Sequence, residues 1–213
     1  MASQPRSDSP ALWIIAGPNG SGKSSAYGLA SVNEPAGSIW IINPDLLTTR
    51  IAEQEKLDRQ TANIASVQRI EAWLYASVET HQTIGVETVL STPKYRALVE
   101  HAKSRGFNVK LIYVFLESSD LNVQRVKTRA RKGGHDVPEE KIRSRRLRSF
   151  KQFGWFFQNA DSVDVYDNSG ATPRRILAKR GLTMVSYERL PEEMIASVEV
   201  EDPGFRSLYD KFD

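Results

Sequence analysis

The chain has no cysteine, which excludes disulfides, thiolate metal sites and a cysteine nucleophile, and fits a reducing, cytoplasmic setting. No apolar run approaches the roughly 18 residues needed to cross a bilayer, so no membrane partner is expected. The first ten residues are polar with two prolines and lack the charged-then-apolar layout of a secretory signal. Residues 1–10 are expected to form a disordered tail. Net charge is small as well, +3 from 29 Lys and Arg against 26 Asp and Glu, less than a dedicated nucleic-acid binder carries. No linker rich in Pro or Gly divides the 213 residues, and a 40% hydrophobic content supports one sizeable core. The expectation is one domain over residues 11–190, followed by an acidic, weakly patterned tail over 191–213.

Within that domain, apolar runs alternate with helical patterns. Leu12–Ala16, Ser38–Ile42, Ile84–Leu90, Val109–Leu116 and Val163–Asp167 read as strands, the first being wholly apolar as a strand buried on both faces must be. Helical spacing joins them over residues 46–55, 61–79, 95–105, 119–132 and 138–160, with a short helix opening at Thr172-Pro173 and an extra edge strand over Leu182–Tyr187. Alternation of this kind predicts right-handed βαβ units in an α/β fold with a mostly parallel five-stranded sheet. In such sheets the residues just past the strand ends build the site.

The first strand ends in Gly17-Pro18-Asn19-Gly20-Ser21-Gly22-Lys23-Ser24, followed by Ser25. The segment fits the phosphate-loop pattern G-x-x-x-x-G-K-[ST] without a mismatch. Its glycines let successive N–H groups face an anion, Lys23 reaches for the outer phosphates, and Ser24 is the Mg²⁺ ligand. The sequence is therefore read as a three-layer P-loop NTPase of the kinase type, using ATP and Mg²⁺. No N-K-x-D base reader marks a GTPase, and the strongest strand ends in Leu116-Glu117-Ser118-Ser119-Asp120, not in the paired acids of a motor ATPase.

Carboxylates follow the other strands. Asp45, just past the second strand, is the candidate base that accepts the acceptor hydroxyl's proton; a plain cap of the helix starting at Leu46 is the alternative. Glu87 lies inside a buried strand, where a charge needs a partner, which points to a metal-water or substrate contact; with Thr88 and Ser91 it is assigned to the acceptor side. Glu117 and Asp120 read as cap and solvent residues.

From Arg125 to Lys151 there are eleven Lys and Arg against three acids. Gly133-Gly134 interrupt the helical pattern and Val137-Pro138-Glu139-Glu140 restart it. The predicted layout, helix, glycine hinge, helix, suits a lid over residues 125–150 that closes on phosphates. Arg125, Arg131, Arg143, Arg146 and Arg148 read as solvated face, His135 as either a phosphate contact or a turn residue. Asp167-Asn168-Ser169 reads as an adenine contact or a plain turn. Phe150, Phe153, Trp155, Phe156 and Phe157 fit core packing better than base stacking.

Five segments, "AGPNGSGKSS", "INPDLL", "VETVLST", "RVKTRARKGGHDVPEEKIRSR" and "VYDNSG", resemble in that order the zeta toxin family of P-loop kinases, particularly its short single-domain bacterial members. The resemblance implies a kinase acting on a hydroxyl of a small-molecule acceptor. The 3′-hydroxyl of UDP-N-acetylglucosamine is the leading candidate acceptor, and an antitoxin protein the candidate partner. It implies Asp45 as base, Lys23 and Ser24 on phosphates and metal, Arg129 and Arg145 as lid cations, and Glu87 and Thr88 near the acceptor. A polynucleotide-end kinase and a regulatory P-loop ATPase stay open as alternatives.

Overall fold

The computed structural model describes residues 9–26, 40–134 and 136–210. The first strand, β1 (Ala11–Ala16), is buried at every position, and its alternating side chains serve two cores. Leu12, Ile14 and Ala16 join the large core, whereas Ala11, Trp13 and Ile15 join a smaller one with Ile112, Val114 and Tyr166. A strand that serves both faces sits inside its sheet, and β1 pairs in parallel with β3 (Ile84–Thr88) on one side and β4 (Asn108–Phe115) on the other.

The full order is β2-β3-β1-β4-β5-β6-β7. The short β2 (Ile41–Ile42) and β5 (Ser162–Asp167) extend the parallel part. Among the described residues the sheet has seven strands, not the five expected. The helix expected at Thr172-Pro173 gives way to β6 (Arg174–Arg180), antiparallel to β5, and β7 (Thr183–Ser186) follows as the anticipated edge. Cross-strand partners decide this. Ile176 and Leu177 are buried, and Arg180 meets Asp164 of β5 at 2.7 Å, a pairing that local propensity does not contain. Residues 38 and 39 of the expected second strand lie outside the described residues.

Helices α2 (Pro44–Glu55), α3 (Arg59–Glu79) and α4 (Arg96–Ser104) lead to and from β3, and α5 (Ser119–Arg131) and α6 (Glu139–Asn159) join β4 to β5. The rings of α6 are core. Phe150, Phe153, Phe156 and Phe157 are buried, and Tyr113 stands edge-on to Phe153 at 4.8 Å. No described helix is long and apolar enough to cross a membrane.

Beyond residue 190 the expected tail is instead α7 (Glu192–Glu201) and α8 (Phe205–Tyr209). Met194, Ile195 and Val198 of α7 are fully buried. A side chain at Gly154 of α6 would meet the Ser197 carbonyl at 1.8 Å, so the two helices touch backbone to backbone. Only three apolar positions mark the buried side of α7, which is why the pattern reads weakly in isolation.

Candidate active site

The loop between β1 and α1 (Lys23–Ala26) lies at the carboxyl end of β1, beside the ends of β3, β4 and β5. Lys23 is 8% exposed, and its Nζ donates to the carbonyls of Gly17 at 2.9 Å and Pro18 at 3.2 Å. Burial pushes the Lys23 ammonium below its ordinary pKa. Glu87 and then Asp45 oppose that shift, while Arg129 adds to it. Charges on β3, α2 and α5 therefore all act on the Lys23 ammonium of α1.

Glu87 is the hub of the far wall. Its Oε2 accepts from Ser24 Oγ at 3.2 Å and from Asn43 Nδ2 at 3.0 Å, and its Oε1 lies 4.0 Å from Lys23 Nζ. The charge placed inside β3 thus has its partners. Thr88 turns the other way. Its hydroxyl accepts from Leu90 N–H at 3.0 Å and braces a turn in which Leu90 takes φ +56°. Ser91 follows, half-buried.

Asp45 does not cap α2. Asn43 does, its Oδ1 accepting from Asp45 N–H at 3.0 Å and Leu46 N–H at 3.2 Å, with Pro44 in the first turn. The exposed Asp45 carboxylate is relieved of that duty and open to solvent within electrostatic reach of Lys23.

The arginine-rich segment divides sharply. Arg129 sits on the last turn of α5, and its carbonyl accepts from Gly134 N–H at 3.0 Å. With Leu121, Arg125, Thr128 and Lys132 it lines a cavity of about 510 Å³. Arg125, read as solvated face, lines that cavity and donates to the Ser169 carbonyl at 3.4 Å. Arg146 also departs from the surface reading. It is 7% exposed, donates to the carbonyls of Leu116 at 2.9 Å and Glu117 at 3.2 Å, and lies over the Phe150 ring. Arg143 bridges Asp120 at 2.6 Å and Glu139 at 2.8 Å, so Asp120 ties α5 to α6. Arg145 is half-buried on α6, and no hydrogen bond or ion pair among the described residues ties it to the loop. Arg131 and Arg148 are exposed. His135 and the side chain of Ser25 lie outside the described residues.

Sequence reasoning gave no site role to two asparagines and left a third open. Asn43 could have been found, since Asn-Pro-Asp ahead of a helical run is a start signal. Asn122 has no such signal. Asn168, weighed as an adenine contact or a turn, is buried against the loop.

The arrangement presents a curled loop with a buried ammonium, a hydroxyl and carboxylate pair, an open carboxylate and a cation at the rim, a set suited to binding and transferring a phosphoryl group. Ser24 Oγ and Glu87 are hard oxygen donors of the kind Mg²⁺ takes alongside waters and phosphate oxygens. No group of three or more His, Cys, Asp or Glu placed to hold a metal ion occurs among the described residues.

Comparison with known proteins agrees. The family model described as Zeta toxin matches residues 1–188. An uncharacterised protein of Haemophilus influenzae is 28% identical over 141 residues, 63% of this chain and 96% of the relative. A chain of the AvrRxo1-ORF1:-ORF2 complex solved with ATP superposes with a TM-score of 0.66 at 16% identity, over 95% of this chain. The match spans only 63% of that longer chain. A chain of the PezAT toxin–antitoxin system of Streptococcus pneumoniae superposes with a TM-score of 0.60 at 12% identity, over 96% of this chain and 89% of that one.

Proposed function

Because the chain belongs to the zeta toxin family and has the P-loop kinase fold, we propose that it transfers the γ-phosphate of ATP to a hydroxyl of a small acceptor. A UDP-activated amino sugar such as UDP-N-acetylglucosamine is the leading candidate. The observation that carries this reading is Asp45. Asn43 takes the capping role, which leaves an acceptor-side carboxylate whose field reaches Lys23.

In the proposed reaction the loop N–H groups and Lys23 hold the triphosphate. Lys23 exchanges its bonds to the Gly17 and Pro18 carbonyls for phosphate oxygens, and the incoming charge stabilises the ammonium that burial disfavours. Asp45 accepts the acceptor hydroxyl's proton and aims its oxygen in line. Arg129, at the rim, stabilises the charge spread over the transferring group. Arg145 is the second candidate cation. Ser24 and Glu87 would hold Mg²⁺, which when bound neutralises phosphate charge. Thr88 and Ser91 form the acceptor-side wall. A cytoplasmic site of action fits the cysteine-free composition, and the PezAT likeness makes an antitoxin protein a candidate partner.

Incubation with γ-labelled ATP and UDP-N-acetylglucosamine tests the reading, with label expected in the sugar nucleotide. Label released only as inorganic phosphate would make the protein an ATPase, and label on oligonucleotide 5′ ends would make it a polynucleotide kinase.

A further inference from the structure

Two buried carboxamides grip the phosphate loop from opposite sides. From the first turn of α5, Asn122 Nδ2 donates to the Asn19 carbonyl at 2.7 Å. From the end of β5, Asn168 Nδ2 donates to the Ser21 carbonyl at 2.8 Å, while its own N–H is fixed on the Phe115 carbonyl at 3.0 Å. Asn122 is 0% and Asn168 7% exposed. The backbone of Asn122 and the carboxamide of Asn168 approach so closely that only glycine fits opposite them. A Cβ at Gly20 would meet the Asn122 carbonyl at 2.7 Å, and one at Gly22 would meet Asn168 Nδ2 at 2.2 Å.

Peptide geometry converts these grips into an orientation. In a trans peptide the C=O of one residue and the N–H of the next point in opposite directions. A carbonyl of Asn19 drawn outward to α5 therefore turns Gly20 N–H inward, and a carbonyl of Ser21 drawn outward to β5 turns Gly22 N–H inward. Both glycines hold positive φ, +76° and +82°, as this alternation requires. The intervening Ser21 N–H is spent on the Pro18 carbonyl at 3.3 Å.

Asn122 also has a cost. Its Oδ1 is buried with no hydrogen-bond partner among the described residues, an unfavourable state that a leucine there would avoid. Seven residues on, about two helical turns, the same face of α5 carries Arg129. The carboxamide thus also ties the loop to the helix that brings the rim cation.

We propose that Asn122 and Asn168 are positioning residues for phosphoryl transfer, setting the Gly20 and Gly22 N–H groups toward the triphosphate before it arrives. The inference rests on the kinase reading only in taking ATP as the ligand. Its test is ATP affinity, measured by calorimetry on the full chain with folding checked by circular dichroism. Asn122→Ala and Asn168→Ala should each bind ATP about tenfold more weakly, the scale of one charge-supporting hydrogen bond. Asn168→Asp supplies the sharper readout. At pH 8 its carboxylate repels the Ser21 carbonyl and affinity falls below that of the wild type at the same pH; burial at this position raises the carboxyl's pKa, so on acidification it protonates, donates again, and the ratio of the two affinities returns toward one. A purely structural role would give no such pH-dependent rescue. Wild-type affinity in both alanine variants, or an Asn168→Asp loss that stays constant with pH, would overturn the proposal. If an alanine variant fails to fold, the Asn168→Asp profile decides. Failure of the wild type itself to bind ATP would instead strike the kinase reading.

Discussion

The phosphate loop and the α5–α6 segment face the same site but use charge differently. The loop has a single ionisable side chain, Lys23, and leaves the rest to backbone groups held by buried amides. The α5–α6 segment holds eleven cations between residues 125 and 151, yet several of them serve the protein itself. Arg146 fills carbonyls at the end of β4, and Arg143 and Lys127 tie helix to helix through Asp120 and Glu139. Among the described residues of the segment, Arg129 is the one that joins the electrostatic environment of Lys23. The number of cations in a segment is therefore a poor guide to how many of them bear on Lys23.

The largest expected effect breaks the loop side. Lys23→Met should lower turnover at least about 10³-fold, as removal of a principal charge from a transition state does; steady-state phosphotransfer measures it. On the other side Arg129→Ala should cost about 10²-fold in kcat and much less in ATP affinity, because its contact strengthens as charge moves. Equal losses in both quantities would make Arg129 a plain binding residue.

Arg146→Ala should behave differently from both. It removes the donor to the buried Leu116 carbonyl and the partly buried Glu117 carbonyl and should cost about 1–3 kcal/mol of stability in urea unfolding. Turnover per folded molecule should hardly change. The exposed Arg148 provides the contrast, with an expected change within about 0.5 kcal/mol.

The smallest effect tests the anchoring of α6 at its far end. Lys179 Nζ donates to the carbonyls of Phe157 at 2.5 Å, Gln158 at 3.3 Å and Ala160 at 3.2 Å. Burial, with Lys103 adding and Asp161 opposing, holds its ammonium down to about 8 from the ordinary 10.5. Between those values the unfolded chain binds a proton that the folded one does not, so this group makes stability rise with pH across that window. Urea midpoints of the wild type should rise relative to Lys179→Met from pH 8 to 10, and parallel profiles would remove the assignment.

The same contrast explains what the sequence could tell. β1 and the loop were legible because both are local, a wholly apolar run followed by fixed glycine spacing. Glu87 was legible because a charge in a buried strand demands a partner. What escaped is nonlocal. β6 exists because β5 offers it a ladder, and α7 because Gly154 lets it approach α6. Arg146 looked like surface because nothing in its neighbourhood of sequence names the carbonyls of Leu116 and Glu117. Asn122, 103 residues from the loop carbonyl it holds, carries no mark at all.

Asp45→Asn isolates the role of the base, because the amide keeps the shape of the side chain while removing the proton acceptor. Wild type and variant should be compared for transfer of labelled phosphate from ATP to UDP-N-acetylglucosamine, with ATP affinity measured in parallel. The variant should bind ATP as the wild type does and transfer at least about 10²-fold more slowly. Undiminished transfer by the variant would contradict that role for Asp45.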